Sequence, residues 1–135
     1  MYKNILIPVV LTENTSPTLA IEAATALAAK GASVTVLHVI EELPSYARSY
    51  VADDFLEQSR KDVIEKLGLV ADSIEGGRPV VVNGHSARSI LDFAEENGSD
   101  CIVLSSHKPG LQDYFLGGTA AHVVRYAQCA VHVIR

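Results

Sequence analysis

Apolar positions along this chain follow two rhythms, and the rhythms alternate. Ile5-Leu6-Ile7-Pro8-Val9-Val10 is a short apolar run without polar interruption, which predicts a central strand buried on both faces. Pro8 has no N–H to give a ladder, so the pairing is expected to loosen there. Ser16-Pro17 reads as an N-cap and a first helical position. An Ala-rich helix is expected from Thr18 to about Lys30, stopped by Gly31. Ala32 to Ile40 reads as a second strand, and Glu41 to Tyr50 as a polar loop. Leu56, Val63, Leu67, Val70 and Ile74 then recur at helical spacing, with Arg60 on the same stripe and Gly76-Gly77 as the stop. Pro79 to Asn83 reads as a third strand. Ser86 is the expected cap of a helix that buries Ile90, Phe93 and Ala94 and stops at Gly98. Cys101 to Leu104 reads as a fourth strand and Cys129 to Ile134 as a fifth. Between them a helix is expected from Thr119 to Ala127, with Ala120, Val123, Val124 and Ala127 on one face.

Strands that alternate with helices predict one doubly wound α/β domain over residues 1–135, with a five-stranded parallel sheet and helices on both faces. Such sheets bind ligands at the carboxyl ends of their strands, where the strand order reverses. Two orders compete, with the reversal between strands one and three or between one and four. A Gly-rich stretch follows strand four, which selects the order 3-2-1-4-5. The crevice is then expected between Pro8-Val9-Val10 and Ser105-Ser106-His107, with Val39-Ile40 beside it.

Charge and composition remove several classes of function. An apolar share of 48% over 135 residues suits one packed domain. A net charge of -5, with Lys and Arg scattered singly, argues against nucleic acid and anionic membrane as partners. Cys101 and Cys129 lack metal or redox spacing and fit a reducing compartment. Met1-Tyr2-Lys3-Asn4 leads into a strand rather than a signal peptide, and no apolar run approaches the about 20 residues that span a bilayer. A cytoplasmic protein without membrane insertion is expected.

Candidate chemistry concentrates after strand four. Ser105-Ser106-His107-Lys108-Pro109-Gly110 is a polar loop carrying one Lys, and Gly117-Gly118-Thr119-Ala120 is a small-residue entry into a helix. Such an entry exposes backbone N–H groups and the positive end of the helix dipole, which suits a phosphate. Thr119 reads as a phosphate donor or as an ordinary cap. Lys108 reads as a cation for the phosphates or as a solvated loop residue, and His107 as a ligand donor or a solvent-facing side chain. His38 and His132 lie inside strands and read as structural. His85 sits at the tip of strand three, and His122 falls off the apolar stripe of the last helix. The five His have no carboxylate at i+4 spacing and do not make a metal site. Glu41-Glu42, Asp53-Asp54 and Glu95-Glu96 read as solvated charge rather than catalytic pairs. Ser105-Ser106 lacks the flanks of a nucleophile elbow, and no Walker P-loop is present. Thr12-Glu13-Asn14-Thr15 stands where a dinucleotide fold would carry Gly-x-Gly-x-x-Gly, and Val10 and Asn83-Gly84 stand where a response regulator needs acids. An enzyme is not expected. Weak ATPase activity, or self-phosphorylation on Thr119, Ser105 or Ser106, is the residual catalytic reading.

Over its full length the chain resembles the universal stress protein family. The residues that carry the likeness are Ile-Leu-Ile-Pro-Val at Ile5 to Val9, Leu-His-Val at Leu37 to Val39, Gly-His-Ser-Ala at Gly84 to Ala87, and the ending from Val124 to Val131. Ser-His-Lys-Pro-Gly at Ser106 to Gly110, followed by Tyr-Phe-Leu-Gly-Gly-Thr, looks like the nucleotide-binding subgroup whose loop reads Ser-His-Arg-Pro. The resemblance implies a dimer that binds ATP, with Mg²⁺ as a companion and AMP or ADP as alternatives. It puts adenine near Val9, Val39 and Leu104 and the phosphates on Ser105, Lys108, Gly118 and Thr119. Pro8, Val10, His107 and Ala120 complete the implied set. The family's pattern of Gly, two residues, Gly, nine residues, Gly and then Ser or Thr falls on Ser105, Lys108, Gly118 and Thr119, so the first two depart from Gly. Val10 stands where the family has Asp. A regulatory, stress-response role follows: the nucleotide orders the loop from His107 to Leu116, and a partner protein reads that order. Dimer contact is implied through the C-terminal strand, Ala130 to Arg135. The departures at Val10, Ser105 and Lys108 favour an alternative, a dimeric interaction module of the same fold that binds no nucleotide.

Overall fold

A computed structural model describes residues 1–11, 16–105 and 117–135. In chain order the elements are β1 (Tyr2–Pro8), α1 (Thr18–Leu27), β2 (Ala28–Ile40), α2 (Ser45–Arg48), α3 (Asp53–Asp72), β3 (Gly77–Asn83), α4 (Ser86–Glu96), β4 (Cys101–Ser105), α5 (Gly118–Tyr126) and β5 (Ala130–Ile134). The sheet order is β3-β2-β1-β4-β5 and every pairing is parallel. This is the expected doubly wound sheet, with its reversal between β1 and β4. Among the described residues, no helix is long and apolar enough to cross a membrane.

Alternation along the central strands divides the core in two. Ile5, Ile7, Val34, Val36 and Val103 face α1 and α3, where Ala24 and Leu67 pack on them. Leu6, Leu37, Ile102 and Leu104 face the other way, onto Ile90 of α4 and Val123 of α5. An apolar run without polar breaks is what a strand covered on both faces requires.

Several boundaries move, each for a local reason. The first helix ends at Leu27 rather than near Lys30, and Ala28 is already in β2, paired with Tyr2. The high helix propensity of the Ala run loses to this pairing. The register then shifts between Tyr2 and Asn4, and Gly31 takes a φ of +77° in the irregular stretch. Pro17 is the N-cap of α1 rather than its first residue, and Ser16 Oγ accepts the Thr18 N–H at 3.3 Å. The polar loop after β2 holds the short helix α2. Ser86 does not cap α4: the N-cap is His85, and the Ser86 hydroxyl bonds to Glu41 instead.

Asp100 fastens the amino ends of β1 and β4. Its Oδ2 accepts the Lys3 N–H and its Oδ1 the Asn4 N–H, both at 2.9 Å, while its own N–H donates to Asn4 O at 2.9 Å. Next to this clamp sit the two free cysteines. Cys101 packs with the α1 face of the sheet and Cys129 with the α4 face. Burial, then the neighbouring Cys129 and Asp100, push the Cys101 thiol up to about 11 from 9.0. Burial raises Cys129 as well. The raised native value makes the neutral thiol the folded form. Its contribution to stability is therefore complete below pH 9 and is lost as pH climbs towards 11, by about 2–3 kcal/mol. Urea unfolding at pH 8 and pH 10.5 should show this loss. A Cys101→Ala chain should show a correspondingly flatter dependence on pH, and equal slopes in the two chains would refute the assignment.

Candidate functional site

β1 and β4 share a register only over Ile5↔Cys101 and Leu6↔Ile102. Beyond that point β1 stays with β2: Pro8 faces Leu37, and the Val9 N–H donates to Leu37 O at 2.8 Å. β4 stays with β5 as far as Ser105↔Ile134. Where the two halves part, a cleft of about 670 Å³ opens at the carboxyl ends of the strands. Its floor is Val9, Leu37, Leu104 and Ala120, all buried. The start of α1 forms one wall through Pro17 and Leu19, and α4 contributes Ile90 to the other. A mostly apolar hollow with a few polar groups suits a small organic ligand.

The polar groups are placed by strand ends and helix starts. His38 Nδ1 lies 3.1 Å from Val9 O. A carbonyl only accepts, so Nδ1 carries the proton, and the ring clasps the tip of β1 to β2. At the far side, α5 begins at Gly118 behind an extended Gly117, with no side-chain cap. The first helical bond is Ala121 N–H to Gly117 O at 2.9 Å, so the amides of Gly118, Thr119 and Ala120 precede the ladder. A Cβ on Gly118 would meet no described residue within 4 Å. Glu41, just past β2, accepts the Ser86 hydroxyl on Oε1 at 2.7 Å. Arg135, just past β5, lines the same cleft.

Pro8, Val9, Val10, Val39, Leu104, Ser105, Thr119 and Ala120 come together around this one cleft. Gly118 adjoins it as the first residue of α5. His107 and Lys108 lie outside the described residues, as do Ser106 and the rest of the loop that carries them. Val10 is 62% exposed on the lip. His122 is exposed and packs against Tyr126, with ring centroids 4.8 Å apart and planes tilted by 45°, and it does not line the cleft. Among the described residues, no group of three or more His, Cys, Asp or Glu could hold a metal ion.

Sequence reasoning missed Glu41, Ser86, Arg135 and the cleft-facing role of His38. Glu41 had a signal. Period-two alternation puts it on the same side as Val39, already a candidate. Ser86 had none, because only the folded sheet brings the start of α4 against the end of β2, where the Gly84 N–H donates to Ile40 O at 3.0 Å.

A family model described as the universal stress protein family matches residues 1–135. The chain is 30% identical over 142 residues to "Universal stress protein A homolog 2" of Coxiella burnetii, covering 99% of this chain and 95% of that one. It is also 30% identical to "Universal stress protein G" of Escherichia coli O157:H7, with both chains covered in full. Its fold is similar to the solved structure of the hypothetical protein MJ0577, with a TM-score of 0.83 at 25% identity over 99% of this chain and 96% of that one. Two more distant structures share the fold and carry nucleotides. One is the universal stress protein from Archaeoglobus fulgidus in complex with dAMP, with a TM-score of 0.67 at 20% identity over 99% and 98% of the two chains. The other is a universal stress protein in complex with cAMP, with a TM-score of 0.68 at 16% identity over 99% and 97%.

Proposed function

The chain belongs to the universal stress protein family, and we propose that it is a dimeric regulatory protein that binds an adenine nucleotide in the cleft between β1 and β4. The observation that carries this reading is the start of α5, whose first amides have no hydrogen-bond partner among the described residues and lie at one end of a largely apolar cleft. Phosphates sit there on Gly118, Thr119 and Ala120, with Ser105 beside them. His107 and Lys108 are assigned to the same end, the Lys as a point charge. The base lies over Val9, Val39 and Leu104, with Pro8 and Val10 at the lip. ATP with Mg²⁺ is the ligand proposed, and AMP and ADP are its shorter competitors. The dAMP and cAMP complexes of structures with this fold support the adenine nucleotide class.

The proposed role is a switch rather than a catalyst. The described carboxylate of the cleft, Glu41, follows β2, and the proposed phosphate site follows β4. Nucleotide binding changes the surface at the mouth of the cleft, and a partner protein reads the result. The dimer forms through β5. This strand is the last in the sheet order, and its Val131 and Val133 are only half-buried, so a second copy would cover more of this apolar edge. A second reading, an interaction module without a nucleotide, is favoured by Val10, which puts an exposed apolar side chain on the lip.

Calorimetric titration with ATP·Mg²⁺, and with AMP alongside, separates the two readings on a sample whose dimeric mass is fixed by sedimentation. Binding in the micromolar range supports the switch. No heat, and no competition up to millimolar nucleotide, selects the module.

A further inference from the structure

The segment from Glu41 to Glu57 leaves β2, forms α2 and enters the first turn of α3. None of its residues is buried, and only Ala47 and Val51 are half-buried. A polar segment would need no explanation, but this one is rich in large apolar groups. Tyr46 is 75% exposed, Tyr50 88% and Phe55 64%. Three of the chain's eight aromatic residues thus stand on one outer surface. Ser49 continues α2 in the αR conformation, so Tyr50 follows Tyr46 by about one helical turn and on the same side. Ordering such a segment costs entropy, and here no buried side chain offsets it. Exposed aromatic groups held together in this way are what an interface uses as anchors.

Two contacts tie this surface to the carboxyl end of the sheet. Ser86 Oγ, at the start of α4, donates to Glu41 Oε1 at 2.7 Å. Arg60 Nη1, in the second turn of α3, donates at 3.0 Å to Oδ1 of Asn83, the last residue of β3. Charge then narrows the choice of occupant. Glu41, Glu42, Asp53, Asp54 and Glu57 stand against Arg48 alone, and five acids with one base leave -4 of the chain's -5. Asp53 and Asp54 complement the dipole of α3, and Glu57 lies 3.9 Å from an exposed Lys61. Neither fact accounts for the aromatic groups among the acids. A second copy of this surface would bring like charge against like charge, and an anionic membrane would be repelled in the same way. A cationic partner suits both components, since a guanidinium pairs with carboxylates and also stacks on a Tyr ring.

We propose that the surface of α2 and the first turn of α3 docks a cationic amphipathic segment of a partner protein. The partner's basic groups pair with Asp53 and Asp54 and stack on Tyr46 and Tyr50. Its apolar side chains cover Phe55. The proposal does not require a nucleotide in the cleft, and its test contains none.

The probe is a synthetic amphipathic helix of Arg and Leu, titrated into the full chain, and it should bind in the micromolar range. A version with Ser for Leu keeps the charge and should lose most of the affinity. Tyr46→Ser with Tyr50→Ser should weaken binding about tenfold or more, the scale of losing aromatic anchors. Asp53→Asn with Asp54→Asn should do the same. Both pairs are exposed, so thermal unfolding should show the fold retained. Glu95→Gln with Glu96→Gln removes the same charge at the far end of α4, where Asn97 O accepts from Asn4 Nδ2. That variant should bind within about threefold of the unaltered chain. Equal losses from the two acidic pairs would reduce the effect to net charge and overturn the proposal. So would unchanged affinity after the Tyr substitutions, or no binding by the unaltered chain. Sedimentation and phosphatidylserine vesicles test the other occupants. An oligomer that the Tyr substitutions dissociate, or vesicle binding that they abolish, would give the surface to a second copy or to a membrane and overturn the proposal as well.

Discussion

Gly118→Asp should leave the fold intact and weaken nucleotide binding at least about a hundredfold. The two effects part because Gly118 is the first residue of α5 and an added Cβ there meets no described residue. Its φ is not in the left-handed region, which among the described glycines is confined to Gly31, Gly76, Gly84 and Gly98. A carboxylate in the first turn also faces the positive end of the helix dipole, which adds about 0.3–1 kcal/mol of stability. The same carboxylate lies where the phosphates must sit and competes for the same amides. Two unit charges about 4 Å apart repel by about 4 kcal/mol at the effective dielectric of a protein surface. Even after screening by salt, a hundredfold loss, about 2.7 kcal/mol, lies within that range. Thermal unfolding and ATP titration of the one variant measure both sides. A melting point at or above that of the unaltered chain, with binding lost, is the expected pair. Affinity within a factor of about three of the unaltered chain would move the phosphates away from α5.

The fold was legible because its signals are local and repeated. Unbroken apolar runs at Ile5 to Val10 and Cys101 to Leu104 mark strands covered on both faces. The Gly-rich helix entry after the second of these chose between two strand orders, and the sheet has the order it selected. The Ala-rich run before Gly31 was misleading, since its intrinsic preference is helical and only the long-range partner Tyr2 makes Ala28 a strand residue. The cleft divides the same way. Thr119 and Ala120 were readable because small residues at a helix entry form a contiguous motif. Ser86 was not, because it enters the cleft through its contact with Glu41, 45 positions away in the chain.

Gly77→Ala should destabilise the chain by about 3 kcal/mol, a larger effect than one methyl group suggests. The sequence presents Gly76-Gly77 as a helix stop, but the structure uses each glycine for a close approach. The Gly77 N–H bonds to Ile74 O at 3.0 Å, and the Val34 N–H bonds to Gly76 O at 3.1 Å. A Cβ on Gly77 would lie 2.3 Å from Ala71 O and 2.9 Å from Ile74 O. Both are backbone atoms near the end of α3, so no side-chain rotation relieves the clash. Either α3 shifts or β3 loses its register with β2, where Gly77 pairs with Val34. For a domain of this size such a loss lowers the melting point by about 10 °C. Gly68→Ala is the matching control. It lies within α3 with nothing within 4 Å of its added Cβ, and should raise stability by up to about 1 kcal/mol. Equal melting points for the two variants would refute the packing account of the α3–β3 turn. The turn joins β3 to the amino end of the sheet, whereas the cleft lies at the carboxyl ends. Below its lowered melting point, the Gly77→Ala chain should therefore bind nucleotide as the unaltered chain does, which separates the residues that hold the sheet from those that hold the ligand.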